Sequence, residues 1–178
     1  MSRATLIFLA LLSLPISAGA VPLRLDFTAS NFVIGQGSDP VPEDPISGSI
    51  VYEAAGLGAT IDALISIDLT IDGHSYSLAE VSFQSPWVGS QDIIYGSLNG
   101  IGMAYTSGVN DFWLYFDRLT QLPVGLDPFS YTTAALDSTW STTHFDTFSI
   151  TEVRVPEPMS LSLLGSGLLV LSWRRRRR

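Results

Sequence analysis

Ile65-Ser66-Ile67-Asp68-Leu69-Thr70-Ile71, followed by Asp72-Gly73 and His74-Ser75-Tyr76-Ser77-Leu78, is the stretch on which the fold turns. Ile65, Ile67, Leu69 and Ile71 fall on one side; Ser66, Asp68 and Thr70 fall on the other. A period of two is the signature of a strand buried on one face. Asp72-Gly73 suits a type I′ turn, which needs positive φ at both central positions. A two-residue loop sets Ile71 opposite His74, Leu69 opposite Tyr76 and Ile67 opposite Leu78. The apolar faces then coincide, and a one-residue slip would turn every side chain to the wrong side.

The same grammar extends along the body. A second hairpin is expected at Asn99-Gly100, with Leu98 opposite Ile101, Gly96 opposite Met103 and Ile94 opposite Tyr105. Further strands are expected at 22–29, 46–54, 110–117, 129–134 and 144–155. Phe112-Trp113-Leu114-Tyr115-Phe116 is apolar on both parities, so it should be a central strand with both faces at least partly covered. The last strand should pair with the first, because domain termini often lie close together. Gly35 to Pro45, 84–91 and 121–128 read as loops on their glycines and prolines. Only 53–60 and 134–140 offer a turn or two of helix. Short strands with this punctuation predict an all-β ectodomain, an antiparallel β-sandwich or jelly roll, spanning 21–154.

Composition narrows the function. The chain has no cysteine, which excludes a disulfide framework and thiolate chemistry. It has no lysine, and the body from 21 to 155 carries sixteen acidic residues against Arg24, Arg118 and Arg154, a formal balance of −13. Such a surface repels nucleic acid and favours cationic partners.

Asp39, Glu43 and Asp44 lie in the proline-rich loop and offer hard oxygen ligands of the type Ca²⁺ takes, although no EF-hand pattern is present. Trp87 and Trp140 lie in loop-like stretches and are the candidates for stacking on a sugar ring, whereas Trp113 belongs to a core strand. His74, beside the turn, reads as solvated, and His144 begins a strand. No Gly-x-Ser-x-Gly, His-Glu-x-x-His or phosphate-cradling glycine loop occurs, so no catalytic residue is assigned and the chain reads as a non-enzyme.

The two ends speak of destination. Met1 to Ala20 has Arg3, an apolar run from Ala4 to Leu14, and Ala18-Gly19-Ala20, the small-x-small pattern that precedes signal cleavage. The mature chain should start at Val21 after export through the Sec machinery. At the other end, Pro156-Glu157-Pro158 precedes an uncharged segment, 159–173, carrying Met159, Leu161, Leu163, Leu164, Leu168, Leu169, Val170, Leu171 and Trp173. As a single transmembrane helix its 15 residues would span about 22 Å, short of the ~30 Å hydrocarbon core. Snorkelling and local thinning cover that mismatch. Arg174, Arg175, Arg176, Arg177 and Arg178 then act as a stop-transfer block, each costing roughly 2.5–3.5 kcal/mol at the membrane centre.

Segment 155–178 resembles the PEP-CTERM sorting tail of Gram-negative bacteria. The resemblance rests on the proline-glutamate-proline motif, the apolar segment and the arginine block in that order. It implies that exosortase, a membrane-embedded transpeptidase, recognises Pro156, Glu157 and Pro158, and that the chain is anchored transiently in the inner membrane before reaching the cell surface or medium. It further implies a cell that makes exopolysaccharide. The expectation is an exported surface or matrix protein with a structural or adhesive role. Alternatives are a carbohydrate-binding module and, from another class, a small secreted hydrolase.

Overall fold

A computed structural model describes residues 19–96 and 108–153. The signal segment, the Asn99-Gly100 turn and the sorting tail lie outside the described residues. Within them the chain forms twelve strands, β1 to β12, in two antiparallel sheets, with no helix.

The first sheet is built around β1 (Val21–Ser30), flanked by β12 (His144–Glu152) and β3 (Ile46–Ala54), and continues through β4 (Ile61–Ile71) to β5 (His74–Ser75). The pairing of first and last strands is as expected: Leu25 faces Ile150 and Phe27 faces Phe148. The second sheet runs β2 (Val33–Gln36), β11 (Thr139–Thr142), β10 (Phe129–Thr132), β8 (Phe112–Asp117), β7 (Gln91–Gly96) and β6 (Val81–Val88), with β9 (Leu122–Pro123) beside β8. One hydrophobic core joins the sheets. Leu23, Leu25, Phe27, Ile50 and Leu69 come from the first, and Ile94, Phe112, Leu114, Phe116, Phe129, Tyr131 and Trp140 from the second. Phe27 meets Phe129 at 5.2 Å between ring centroids, and Tyr76 meets Phe112 edge-on at 4.8 Å.

The β4–β5 hairpin turns as the sequence requires. Ile71 pairs with His74, Asp72 and Gly73 have φ of 48° and 77°, and the Tyr76 amide donates to Leu69 O at 2.9 Å. Leu78 does not continue the ladder, which stops at Ser75, and it is exposed. The alternation is also broken upstream. The β3–β4 register passes from Val51–Ser66 to Tyr52–Leu64, so Ile65 is the extra residue of a bulge. Ile65 therefore faces out, 41 % exposed, and Leu64 takes its inward place.

Four loop or helix expectations became strands. Residues 33–36, which run into the loop expected from Gly35, form edge strand β2; β6 runs through Pro86; Leu122–Pro123 pairs with Phe116–Asp117; and 134–140 ends in β11 rather than helix. Proline at 86 is tolerated because β6 is a sheet edge, where a missing N–H breaks no inner ladder. The register around the Asn99-Gly100 hairpin is also corrected. Ile94 pairs with Phe83 on one side and Leu114 on the other, and Gly96 with Val81 and Phe112. Both edges of β7 are filled by other described strands; Met103 and Tyr105, the partners expected for them, lie outside the described residues. A Cβ on Gly96 would stand 2.7 Å from the Phe112 ring and 2.8 Å from that of Tyr76. The small residue is required by the inner face, against a partner the hairpin reading did not foresee.

Candidate functional site

β8 presents two faces. Phe112, Leu114 and Phe116 point into the core, while Trp113 and Tyr115 take the opposite parity and stand on the outer face of the second sheet. Trp113 is only 6 % exposed and yet lies outside the shared core. Its neighbours explain this. The segment after β9 folds back over the outer face, with Tyr115 N donating to Pro128 O at 2.8 Å and Val124 N to Tyr115 O at 3.3 Å. Gly125, at φ of 107°, turns that segment. Between it and the sheet lies a groove of about 270 Å³, with Trp87, Gln91, Trp113 and Tyr115 on the sheet side and Val124 to Asp127 on the loop side.

The groove is lined by three aromatic side chains, of which Trp87 and Tyr115 are the more open, with one amide and one carboxylate, and no cation lines it. Aromatic faces bind the C–H face of a pyranose ring, while an amide and a carboxylate at the margin can hydrogen-bond its hydroxyls. Its volume is slightly below the ~300–1,000 Å³ typical of small-molecule clefts, which suits one or two sugar units.

Of the two tryptophans singled out from sequence, one lies at this groove and the other does not. Trp87 lines the groove, half-buried. Trp140 does not. It is fully buried in the core, lies 5.2 Å from the Tyr131 ring, and donates its indole N–H to Asp39 O at 3.2 Å. The loop-like residues around it misled, because β11 is short and rich in serine and threonine. Trp113 and Tyr115 were absorbed into the core strand. The signal that could have separated them was the second parity of 112–116, where aromatic residues fill a face that a surface strand would leave polar.

The three acidic loop residues do not converge. Asp39 Oδ2 accepts the Ser138 hydroxyl at 2.8 Å and the Asp137 amide at 3.1 Å. Asp44 accepts the Asn31 and Phe32 amides, both at 3.1 Å, and Glu43 accepts the Asp72 amide. Each carboxylate fastens the proline-rich loop to a different element. No cluster of three or more potential metal ligands occurs among the described residues.

Neither histidine stands in a hydrolytic relay. His74 is not simply solvated: it packs edge-on against Tyr76 at 4.7 Å and its Nε2 lies 3.2 Å from Glu80 Oε1. Ser77 donates its hydroxyl to the other oxygen of Glu80 at 2.6 Å. The carboxylate thus sits between serine and imidazole, whereas a relay needs the imidazole in the middle. The hydrogen bonds from Ser77 are the main reason the Glu80 carboxyl lies below its ordinary range, with His74 adding to it. His144 pairs with Asp146 at 3.2 Å on the exposed edge strand.

A buried charge the sequence did not flag closes one end of the sheet. Asp92 points inward from β7, fully buried. Its Oδ1 accepts Ser85 Oγ at 2.7 Å and Arg118 Nη1 at 3.1 Å, while Oδ2 has no partner. Burial raises the Asp92 carboxyl above its ordinary value, against the opposing pull of Ser85 and Arg118. Arg118 also donates to Gly89 O at 3.1 Å, so it ties the β6–β7 and β8–β9 turns together.

No curated protein and no solved structure matches the chain. No helix among the described residues is long and apolar enough to cross a membrane, and segment 159–173 lies outside them. One family model does match, and it covers 154–177, beginning directly beyond the last described strand. That stretch is a PEP-CTERM protein-sorting motif, as the proline-glutamate-proline pattern implied.

Proposed function

We propose that this is an exported protein, cut at Val21 by signal peptidase, held in the inner membrane by 159–173, and processed by exosortase at Pro156-Glu157-Pro158. On this reading 21–154 is one antiparallel β-sandwich or jelly roll that ends at the cell surface or in the extracellular matrix, in a structural or adhesive role and without catalytic activity. The observation that carries it is the sorting motif at 154–177, joined to a terminal strand that is locked against β1. The ectodomain is complete before the tail begins, so cleavage there removes nothing the core needs. Mass spectrometry of the native product tests this: the mature chain should begin at Val21 and end near Pro156. A product retaining Arg174–Arg178 would sink the processing step.

A second reading has its own support. The groove of Trp87, Trp113 and Tyr115 favours a carbohydrate-binding role for the same ectodomain, directed at the polysaccharide around the cell. The acidic body and the lack of a lining cation point to neutral chains rather than uronates. Affinity electrophoresis through gels cast with neutral glucans or with alginate discriminates: retardation by the neutral gels alone supports it. We assign Ca²⁺ no role in either reading; in support, Asp39, Glu43 and Asp44 accept from separate donors and do not converge. EDTA should leave the melting temperature unchanged.

A further inference from the structure

Three loops meet at one end of the two-sheet body. They are 55–60 between β3 and β4, the β6–β7 turn, and the β8–β9 turn. A Cβ on Gly58 would lie 3.5 Å from Leu119 Cδ2, Arg118 N donates to Ser90 O at 3.1 Å, and the Arg118 guanidinium donates to Gly89 O. Each loop holds up an aliphatic side chain. Leu57 is 46 % exposed, Val88 60 %, Leu119 67 %, and Leu122 just beyond is 56 %.

The chain leaves the body at this same end. Val21 pairs with Ala54 at the edge of loop 55–60, Glu152 pairs with Leu23, and Val153 N donates to Pro22 O at 2.8 Å. Between Val153 and Met159 lie only residues 154–158, so the two are at most about 22 Å apart when that stretch is fully extended. The head-group layer on one side of a bilayer is itself about 5–8 Å deep. An anchored chain therefore holds this end, and not the opposite one, within reach of the lipid surface.

We propose that these loop tips rest in the outer leaflet of the inner membrane while 159–173 is anchored, so that the precursor stands upright on a second, shallow apolar contact. The proposal builds on the anchoring given under Proposed function. Lipid is the occupant that fits. The tips present Leu57, Val88, Leu119 and Leu122 as separate exposed projections, Arg118 between them is turned onto Asp92 and Gly89 O, and a fluid layer receives such projections without a matching groove. The acidic body would keep a free ectodomain off an anionic leaflet, so the contact depends on the high local concentration the short tether imposes. Cleavage near Pro156 would then release both attachments together.

The absence of native cysteine makes the test direct. Full-length precursors carrying Val88→Cys, Leu119→Cys or, at the other end of the body, Leu78→Cys are labelled with an environment-sensitive dye and reconstituted into phosphatidylethanolamine–phosphatidylglycerol vesicles containing nitroxide lipids. Quenching at positions 88 and 119 at least twofold above that at 78 is expected. A Leu57→Ser/Leu119→Ser/Leu122→Ser precursor should still float with the vesicles but lose the quenching at 88. Equal quenching at all three positions in a protein that floats would overturn the docking and leave the anchor standing. Failure to float would overturn both. Quenching that arises only when exosortase is co-reconstituted would show that the face meets the protease, and the lipid contact would be refuted.

Discussion

Replacing Trp140 and Trp87 in turn separates the fold from the groove. Trp140 is fully buried, packs on Tyr131, and fills one hydrogen bond of Asp39 O. Trp140→Ala leaves a large cavity and removes a buried donor, which costs about 3–5 kcal/mol. At this size each kcal/mol moves Tm by roughly 4 °C, so melting should fall by about 12–20 °C. Trp140→Phe keeps a ring and should cost about 2 kcal/mol, the value of a lost indole bond and a smaller void. Trp87 is only half-buried, and Trp87→Ala should cost about 1–2 kcal/mol from partial burial. Its effect on sugar is the reverse. Losing a stacking face worth about 1.4 kcal/mol weakens retention roughly tenfold. Melting is followed by circular dichroism, and retention by affinity electrophoresis below every variant's melting range. Trp140 variants should bind as the parent does once folded. A Trp140→Ala protein that melts with the parent would refute the core placement. A Trp87→Ala protein retained like the parent would refute the groove.

Two further outcomes follow from particular contacts. Gly96→Ala puts a methyl against the rings of Phe112 and Tyr76, and should destabilise by about 1–3 kcal/mol by overpacking; Gly73→Ala meets no atom and should cost about 1 kcal/mol through its positive φ alone. Chemical denaturation of both should rank them in that order. Asp92 has a raised folded pKa, so the native state holds its proton more tightly than the unfolded chain does. Its own contribution to stability is therefore full below the unfolded aspartate pKa and is lost as pH rises through the folded value. Asp92→Asn, with its amide oxygen oriented to Ser85 and Arg118, should accordingly gain on the parent as pH rises above the ordinary aspartate range in parallel melts, and a variant that loses ground as pH rises would contradict the buried placement.

Much of this protein is legible in its sequence. Alternation in 67–71, the Asp72-Gly73 turn, the boundaries of 46–54 and the first-to-last pairing all rest on local chemistry: side chains two apart share a face, and a positive-φ pair closes a hairpin. The sorting motif was equally plain, because a recognition tail is read as linear sequence. Other features depend on what lies across the sheet. Ile65 faces out because β3 offers one fewer residue than β4 there, and nothing near Ile65 in the chain records it. Trp140 is core and Trp113 lines a groove because of which layer covers each strand, although both look alike as aromatic residues in a β-rich sequence. The carboxylates of Asp39, Glu43 and Asp44 became fasteners through amides contributed from as far as 98 residues away. Periodicity and turn residues state which way a side chain points along its own strand; only the packing of one layer on another decides what it meets.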